Sequence, residues 1–217
     1  MVILIFGATG LAGGGVLRAC LESAAVTDVR SISRRPTGVR DAKLTEFSHD
    51  NYLDYRTVAP AFAGVDACFF CLGLTVRQAP IEADYRRIHQ QFPIAAARML
   101  RERSPAAAFH YLSGGSSRLN SRWMWARVKA EAERDLMNEF GALCWRPAMI
   151  GGTPAAPQAA FFELFRGVLA TVFKRFKSLY IEPEDIGRAM LQSTHTGLRN
   201  RIFENPEMRD LAESYRA

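Results

Sequence analysis

The chain begins Met1-Val2-Ile3-Leu4-Ile5-Phe6-Gly7-Ala8-Thr9-Gly10-Leu11-Ala12-Gly13, a strand-like apolar run that passes through a glycine-rich turn into a helical pattern. Gly7 permits a tight turn, Gly10 leaves room for a pyrophosphate against the backbone, and Gly13 lets the helix approach the sheet. The free amides at the start of such a helix favour phosphate. The stretch therefore predicts a dinucleotide-binding turn, whose expected contacts are Gly7, Ala8, Thr9, Gly10, Leu11 and Gly13.

Short apolar runs alternate with helical patterns along the rest of the chain. The strand-like runs are Val2–Phe6, Val29–Ser33, Leu44–Phe47, Ala67–Leu72, Phe109–Ser113 and Ala142–Trp145. The helical patterns are Leu11–Ser23, Tyr85–Arg103 and Trp125–Glu139, a weaker one at Asp54–Phe62, and a helix from Glu184–Asp185 before a strand at Arg201–Glu204. This alternation predicts a doubly wound α/β (Rossmann) fold, with a parallel sheet between two helical layers. We expect a single domain over residues 1–217.

Residues 151–200 are less regular, and we expect them to supply a small cap on the substrate side. Pro154 and Pro157 indicate a loop, after which residues 161–176 show an apolar helical face. We interpret this face as a helix packed on the core or on a neighbouring subunit. A pocket lid, or a helix on a membrane surface, is the alternative.

The composition is that of an ordinary globular protein, with 48% hydrophobic and 23% charged residues among 217. The net charge of +6 suits an anionic partner. The basic residues are scattered and no nucleic-acid motif is present, so we expect neither nucleic acid nor a membrane as partner. A small-molecule substrate or a regulatory protein is expected instead, with the chain acting as a monomer or homodimer.

The four cysteines do not form a disulfide framework in a chain of this length. Cys68 and Cys71 lie in one apolar run, and three residues apart on a strand their side chains face opposite sides. We expect both to be structural. No cluster of histidines, cysteines and carboxylates has metal-ligand spacing, so no metal is predicted. Because no leader or membrane-spanning run is apparent, the sequence predicts a soluble, cytoplasmic protein.

The choice of dinucleotide depends on the end of the second strand. NAD-binding sites usually carry a carboxylate about 20 residues after the glycines, where it holds the ribose hydroxyls. Here that position is Ser33, and Arg34 and Arg35 follow it. A hydroxyl and two guanidinium groups suit a 2′-phosphate, which favours NADP(H) over NAD(H). A solvated basic turn is the alternative.

Several motifs in order resemble the short-chain dehydrogenase/reductase superfamily, in its atypical NAD(P)H-binding branch of NmrA-like and sugar-nucleotide epimerase-like proteins. The motifs are the glycine turn, Cys71-Leu72-Gly73-Leu74-Thr75, Tyr111-Leu112-Ser113, Arg146-Pro147-Ala148-Met149-Ile150-Gly151 and Glu182–Met190. The resemblance spans nearly the whole chain. It implies that Asp50 lies near the adenine and that Leu72 and Gly73 pass under the adenosine ribose and diphosphate.

On the same resemblance, Ser113 and Lys129 lie beside the nicotinamide, and His89 lies underneath. Simpler interpretations exist for all three. His89 is then a packed or solvated residue, Lys129 an exposed helix lysine paired with Glu133, and Ser113 a cap at a strand end.

The chain departs from that superfamily at the residue that moves the proton. Tyr-x-x-x-Lys on one helix places both side chains on one face, so the lysine can depress the pKa of the tyrosine. Here Lys129 is present, but Trp125 occupies the tyrosine position. An indole N–H cannot act as an acid or base near neutral pH.

Three accounts of this departure remain. Another donor, such as Tyr111, Ser113, Tyr85 or water, replaces the tyrosine; Trp125 stacks on a substrate or on the nicotinamide; or the protein binds NADP(H) without turnover. The sequence therefore predicts an oxidoreductase or epimerase for a small carbonyl or nucleotide-linked compound, with Lys129, Ser113 and Trp125 at its catalytic positions. The alternative is a catalytically silent, redox-sensing regulatory protein. A serine hydrolase is excluded because the Gly-x-Ser-x-Gly elbow is missing.

Overall fold

The computed structural model describes residues 1–151 and 178–216. Nine strands are formed: β1 (Val2–Phe6), β2 (Asp28–Ser33), β3 (Leu44–Ser48), β4 (Ala67–Phe70), β5 (Ala108–Leu112), β6 (Leu143–Arg146), β7 (Met149–Ile150), β8 (Tyr180–Ile181) and β9 (Arg201–Glu204). Seven of them form one sheet in the order β3-β2-β1-β4-β5-β6-β9, with every pair parallel. β7 and β8 pair separately. The strand order reverses between β1 and β4, so the predicted doubly wound fold is confirmed.

The helices connect these strands. They are α1 (Leu11–Glu22), α2 (Glu82–Arg86), α3 (Phe92–Arg103), α4 (Met124–Phe140), α5 (Pro183–His195) and α6 (Asn205–Ser214). A π-helical segment, Arg87–Gln91, joins α2 to α3, and a 3₁₀ helix at Arg56–Phe62 stands where the sequence shows its weaker helical pattern. Most boundaries lie within two residues of the predictions. The small β7–β8 sheet, the π-helical segment and α6 were not predicted.

The central strands are buried on both faces because their side chains alternate between two helical layers. Ile3 and Ile5 of β1 pack with α1, α5 and α6 on one face. Leu4 and Phe6 pack on the other face with α3, α4 and the 3₁₀ helix. Cys68 and Cys71 pack on opposite faces as predicted, and all four thiols are free.

The packing of α5 on α1 revises the predicted cap. A Cβ at Gly15 would lie 2.1 Å from Cβ of Pro183, and one at Gly187 would lie 2.7 Å from Cβ of Ala19. Glycine lets the two helices touch, so residues 183–195 belong to a core layer and not to a cap. Residues 152–177, including the apolar helical face at 161–176, lie outside the described residues.

Candidate functional site

The glycine-rich turn is shaped by three glycines, of which Gly7 and Gly13 leave no room for a side chain and Gly10 leaves little. Gly7 has φ +79°, and a Cβ there would lie 2.7 Å from the Cys71 carbonyl. A Cβ at Gly13 would lie 2.1 Å from the Gly7 carbonyl oxygen, and one at Gly10 would lie 3.2 Å from the same atom. The Gly10 amide donates to that oxygen at 2.9 Å, which closes the turn. The backbone is therefore folded tightly at the carboxyl end of β1, as the sequence predicts.

The turn delivers the start of α1 to a cavity. Gly10 caps the helix without a side-chain hydrogen bond, and the helix has no acidic residue in its first turn. The first amides of a helix have no intrahelical acceptor and carry partial positive charge. Gly10, Leu11 and Gly13 line the cavity, whereas Gly7 and Ala8 are buried and Thr9 is exposed. The arrangement suits a phosphate.

Two adjacent cavities run along the carboxyl ends of the strands. The larger, of about 810 Å³, extends from the glycine turn to Ser113 and Lys129. The smaller, of about 390 Å³, lies toward β2 and contains Arg34 and Asp50. Both are lined by Leu72, Leu74 and Gln78. Together they form one cleft that crosses the β1–β4 switch point, where open α/β sheets bind their ligands.

The smaller cavity has an apolar slot with charges at its edge. Tyr52 stacks on Phe92 with ring centroids 5.4 Å apart, and exposed Arg34 and Asp50 complete the lining. Burial raises the pKa of Tyr52, an effect that the nearby Arg34 opposes. The cavity thus combines aromatic side chains with one charge of each sign.

The turn after β2 carries the predicted arginines. Arg34 and Arg35 are both exposed. Ser33 is buried, and its hydroxyl donates to the Arg35 carbonyl oxygen at 2.5 Å. Ser33 therefore orders the arginine turn, and Arg34 is the residue of the three that lines the smaller cavity.

At the other end of the cleft, α4 places Trp125 and Lys129 over the loop that follows β5. A Cβ at Gly114 would lie 3.5 Å from Nζ of Lys129 and 3.8 Å from Cζ3 of Trp125. The Lys129 ammonium donates to the Ser113 carbonyl oxygen at 2.8 Å. Both predicted side chains therefore share one helical face, as their four-residue spacing requires.

Ser113 is buried, and its hydroxyl has a partner inside the protein. Its Oγ lies 3.1 Å from Oγ of Ser117, which itself donates to the Gly114 carbonyl oxygen at 2.8 Å. Because the single proton of Ser117 is thus engaged, Ser113 donates in this pair. The Ser113 amide also donates to the Trp145 carbonyl oxygen at 2.7 Å, so both backbone and side chain hold this strand end.

Lys129 is not an exposed helix lysine paired with Glu133. Glu133 is 2% exposed and accepts two hydrogen bonds from Arg146, with Nε–Oε1 at 2.9 Å and Nη2–Oε2 at 2.5 Å. Arg146 also reaches Glu204 at 3.1 Å. Burial lowers the pKa of Lys129 to about 8, an effect that Glu133 partly opposes. The lysine is thus a mostly buried cation whose hydrogen bond goes to a backbone carbonyl oxygen and not to a carboxylate.

The two tyrosines named as alternative proton donors, Tyr85 and Tyr111, are both buried and engaged inside the protein. Tyr111 is fully buried and donates to the His89 carbonyl oxygen at 2.8 Å, within the π-helical segment. Tyr85 is 2% exposed and stacks on the His89 ring at 4.0 Å. Burial raises the pKa of Tyr85 to about 12 and that of Tyr111 well above its usual value. Both hold the floor of the cleft.

His89 lies underneath the site, as the resemblance implies. Its Nε2 is 2.9 Å from the Leu74 carbonyl oxygen, and a Cβ at Gly73 would lie 2.9 Å from its Cε1. Its Nδ1 is buried without a partner. A proton on Nε2 leaves only a lone pair unpaired at Nδ1, so this is the favoured tautomer. Burial and the neighbouring Lys129 lower the pKa of His89 to about 3, and the ring is neutral.

Part of the lining was not predicted from the sequence. The unpredicted residues of the larger cavity are Ala12, Cys71, Leu74, Thr75, Arg77, Gln78, Leu112 and Ile150. Leu74 and Thr75 stand in the motif after β4, so their position beyond a strand end could have identified them. Ile150 is brought to the cavity by the β7–β8 sheet, for which the sequence gives no clear signal. No cluster of three metal-binding side chains occurs in residues 1–151 and 178–216.

The curated proteins similar to this chain are fungal. Protein fmp52, mitochondrial, of Aspergillus clavatus is 25% identical over 193 residues, which cover 85% of this chain and 82% of the relative. Its namesake in Eremothecium gossypii is 28% identical over 137 residues, with 63% and 60% covered. No protein-family profile matches the chain.

Solved structures share the fold over nearly the whole chain. A DesIV double mutant from Streptomyces venezuelae, a dTDP-glucose 4,6-dehydratase with NAD bound, has a TM-score of 0.71 at 15% identity, covering 98% of this chain and 79% of that one. UDP-glucose 4-epimerase of Thermotoga maritima has a TM-score of 0.70 at 16% identity, with 100% and 84% covered. A short-chain dehydrogenase/reductase from Burkholderia thailandensis has 0.68 at 17%, with 95% and 92% covered. The chain therefore has the Rossmann fold of this superfamily's structures, which confirms the predicted resemblance at the level of the fold.

The predicted cytoplasmic location is wrong by the sequence comparison, because the curated relatives are named as mitochondrial proteins. The prediction rested on the absence of a recognisable leader. The residues that form a folded core do not determine the compartment to which a protein is sent. Within the described part of the chain, no helix is long and apolar enough to span a membrane.

Proposed function

We propose that this chain binds NADP(H) and acts as an oxidoreductase or epimerase on a small carbonyl or nucleotide-linked compound. The observation that carries the proposal is the turn of Gly7, Gly10 and Gly13, where added side chains would collide with backbone and where the start of α1 opens onto the cleft. Helix amides in this setting bind a pyrophosphate. The solved structures of the same fold that are named with NAD support this reading.

The cleft also fits the remainder of a dinucleotide. The slot between Tyr52 and Leu72 suits an adenine, and Asp50 lies at its edge. Leu72 and Gly73 continue along the larger cavity toward Lys129, which is placed to hold a ribose hydroxyl. A nicotinamide bound at this end would supply or accept the hydride of a carbonyl–alcohol conversion. Ser113 orders the strand end beside it.

The preference for NADP(H) is supported by the turn after β2. No carboxylate occurs at Ser33, and two exposed guanidinium groups follow it. A 2′-phosphate can form charge-assisted, bidentate hydrogen bonds with Arg34, which lines the smaller cavity. Arg35 adds positive charge beside it.

Nucleotide binding and turnover are tested in two steps. Purified protein titrated with NADPH and followed by fluorescence is expected to bind with a Kd well below about 1 mM, and failure to bind would refute the cofactor proposal. Consumption of NADPH is then measured with small aldehydes, ketones, quinones and nucleotide-linked sugars. Loss of NADPH with at least one of them is the expected result.

A second candidate function is a catalytically silent NADP(H)-binding regulator. Trp125 favours it, because the usual acid is missing from α4. Binding without consumption of NADPH by any carbonyl compound, both in the natural protein and in Trp125→Tyr, would support the regulator. Turnover by the natural protein would exclude it, whereas activity gained only in Trp125→Tyr would mean that the site is intact except for its acid.

A further inference from the structure

A carbonyl reduction in this cleft needs a proton donor, and the usual one is replaced. Trp125 lies on the same face of α4 as Lys129 and beside Gly114. It also packs against the cluster of Tyr85 and Val128. Its N–H can form a hydrogen bond but does not exchange a proton at neutral pH. Another group must supply the proton if the cleft performs the proposed reaction.

Most titratable groups of the larger cavity are unsuited to that task. Among the described residues its lining contains Cys71, Arg77, His89 and Lys129. Burial raises the pKa of the Cys71 thiol to about 12, and the thiol packs on the core beneath α1. A guanidinium keeps its proton at any physiological pH. His89 is neutral, and its Nε2 is engaged by the Leu74 backbone, 2.9 Å from the carbonyl oxygen and 3.2 Å from the amide nitrogen.

Lys129 differs from these groups in its surroundings. One N–H of its ammonium donates to the Ser113 carbonyl oxygen, which leaves two of its three donors for a ligand. Glu133, one turn along α4, is held by Arg146. From the π-helical segment Lys129 is faced by the uncharged ring of His89. Within residues 1–151 and 178–216, it therefore has no carboxylate partner of its own, and burial lowers its pKa to about 8.

We propose that Lys129 takes the place of the missing tyrosine and donates the proton to the carbonyl oxygen of the substrate, an inference that rests on the proposed reductase function. A reduced nicotinamide held in the cleft would supply a hydride with its electron pair to the carbonyl carbon, as the C=O π bond breaks. The oxygen takes a proton from the Lys129 ammonium. The products are the alcohol, the oxidised nicotinamide and a neutral lysine, which solvent then protonates again.

Lys129→Arg separates proton donation from charge. Arginine keeps the positive charge and a donor toward the Ser113 carbonyl oxygen, but it cannot release a proton near neutral pH. With phenanthrenequinone, diacetyl and benzaldehyde as probes and NADPH at saturation, so that a weaker contact with the ribose does not enter the rate, we expect kcat to fall about 100-fold. Activity retained within about threefold would overturn the inference.

A measurement on the natural protein avoids any folding defect of the variant. The chain has only four lysines, so protein labelled with ¹³C at the lysine ε-carbon gives four side-chain signals. The signal that is lost in Lys129→Arg is that of Lys129. We expect this signal to titrate near pH 8, and the rate of NADPH oxidation to decline above the same pH because the protonated form is the donor. A titration above about pH 10, close to the ordinary lysine value, would overturn the inference.

The two proposals fail in different ways. No binding of NADPH, or binding without reduction of any probe, refutes the proposed reductase function, and the inference with it. Binding and reduction that persist in Lys129→Arg, or a rate that does not decline above the pKa of Lys129, refute the inference alone.

Discussion

The two ends of the cleft are built by different means. At the glycine turn the ligand surface is backbone, and Gly7, Gly10 and Gly13 fix it by the side chains they lack. At the α4 end the surface includes side chains such as Lys129 and Ser113, and Trp125 lies on the same helical face as Lys129 without lining the cavity. The first end has glycine at each of the three positions that shape the turn. The second has a lysine with a tryptophan, and not a tyrosine, four residues before it.

This contrast means that the glycine turn and the side chains of α4 can change independently in this fold. A phosphate cradle made of backbone tolerates almost no change, since any Cβ must displace main-chain atoms. A side chain that moves a proton can be exchanged without loss of the fold, because Trp125 packs on the cluster of Val128 and Tyr85.

The largest expected effect comes from one methyl group at the turn. In Gly13→Ala the new Cβ would lie 2.1 Å from the Gly7 carbonyl oxygen, so we expect a loss of about 3 kcal/mol in the free energy of unfolding and no detectable NADPH binding. Urea denaturation and fluorescence titration measure the two effects. Gly14→Ala is the matched control, because its Cβ would be 3.4 Å from the nearest atom. It should be about 0.8 kcal/mol more stable than the natural chain and bind normally. Equal behaviour of the two variants would contradict the account of the turn.

A tyrosine at the other end should raise turnover. In Trp125→Tyr, a phenol with Lys129 one turn away restores the acid that the superfamily pattern contains, and we expect the rate of NADPH oxidation with the same carbonyl probes to rise at least about tenfold. Trp125→Phe is the control, since it removes the indole without adding an acid. A similar rise in both variants would show that space, and not proton transfer, limits the reaction.

The arginines after β2 should determine the preference for NADPH over NADH. In Arg34→Ser, loss of the guanidinium should weaken NADPH binding about tenfold, because a charge-assisted hydrogen bond contributes about 1.5 kcal/mol. The Kd for NADH should change by less than about twofold, as no 2′-phosphate is present. Calorimetric titrations measure both. Weakening of both nucleotides to the same extent would mean that Arg34 acts elsewhere than at the 2′-phosphate.

The smallest expected effect is on the pH dependence of stability, through His89 beneath the cleft. His89 has a folded-state pKa of about 3 against a usual value of 6.5, so the unfolded chain binds more protons between these values. The contribution of neutral His89 to the free energy of unfolding is present above pH 6.5 and is lost as the pH falls. The loss between pH 6.5 and 5.5 is about 1 kcal/mol. Urea denaturation at both pH values measures this loss in the free energy of unfolding. In His89→Gln the loss should be smaller than in the natural protein by the same amount. An unchanged difference would mean that His89 is protonated in the folded protein.

The sequence predicted what depends on local pattern. Buried strands such as Val2–Phe6 and the turn after it follow from apolar runs and glycines, whose spacing is set by the chain itself. Trp125 and Lys129 were placed on one face for the same reason. These features need only the geometry of a strand or a helix.

Contacts between distant parts of the chain could not be read in this way. The pairing of Glu133 with Arg146 removes the expected partner of Lys129, yet the two residues lie on different elements. The sequence left Tyr111 open as a proton donor, but its hydroxyl donates to the His89 carbonyl oxygen, a contact between distant elements. The position of Ile150 in the cleft depends on a strand of two residues, which no periodicity reveals.

The most direct test of the account compares NADPH and NADH by calorimetry on the natural protein under one set of conditions. An intact cradle beside two arginines predicts that both nucleotides bind and that the Kd for NADPH is lower by at least about tenfold. Absence of binding by either nucleotide up to about 1 mM would contradict the central claim that this cleft is a dinucleotide site. Tighter binding of NADH would contradict the role given to Arg34 and Arg35.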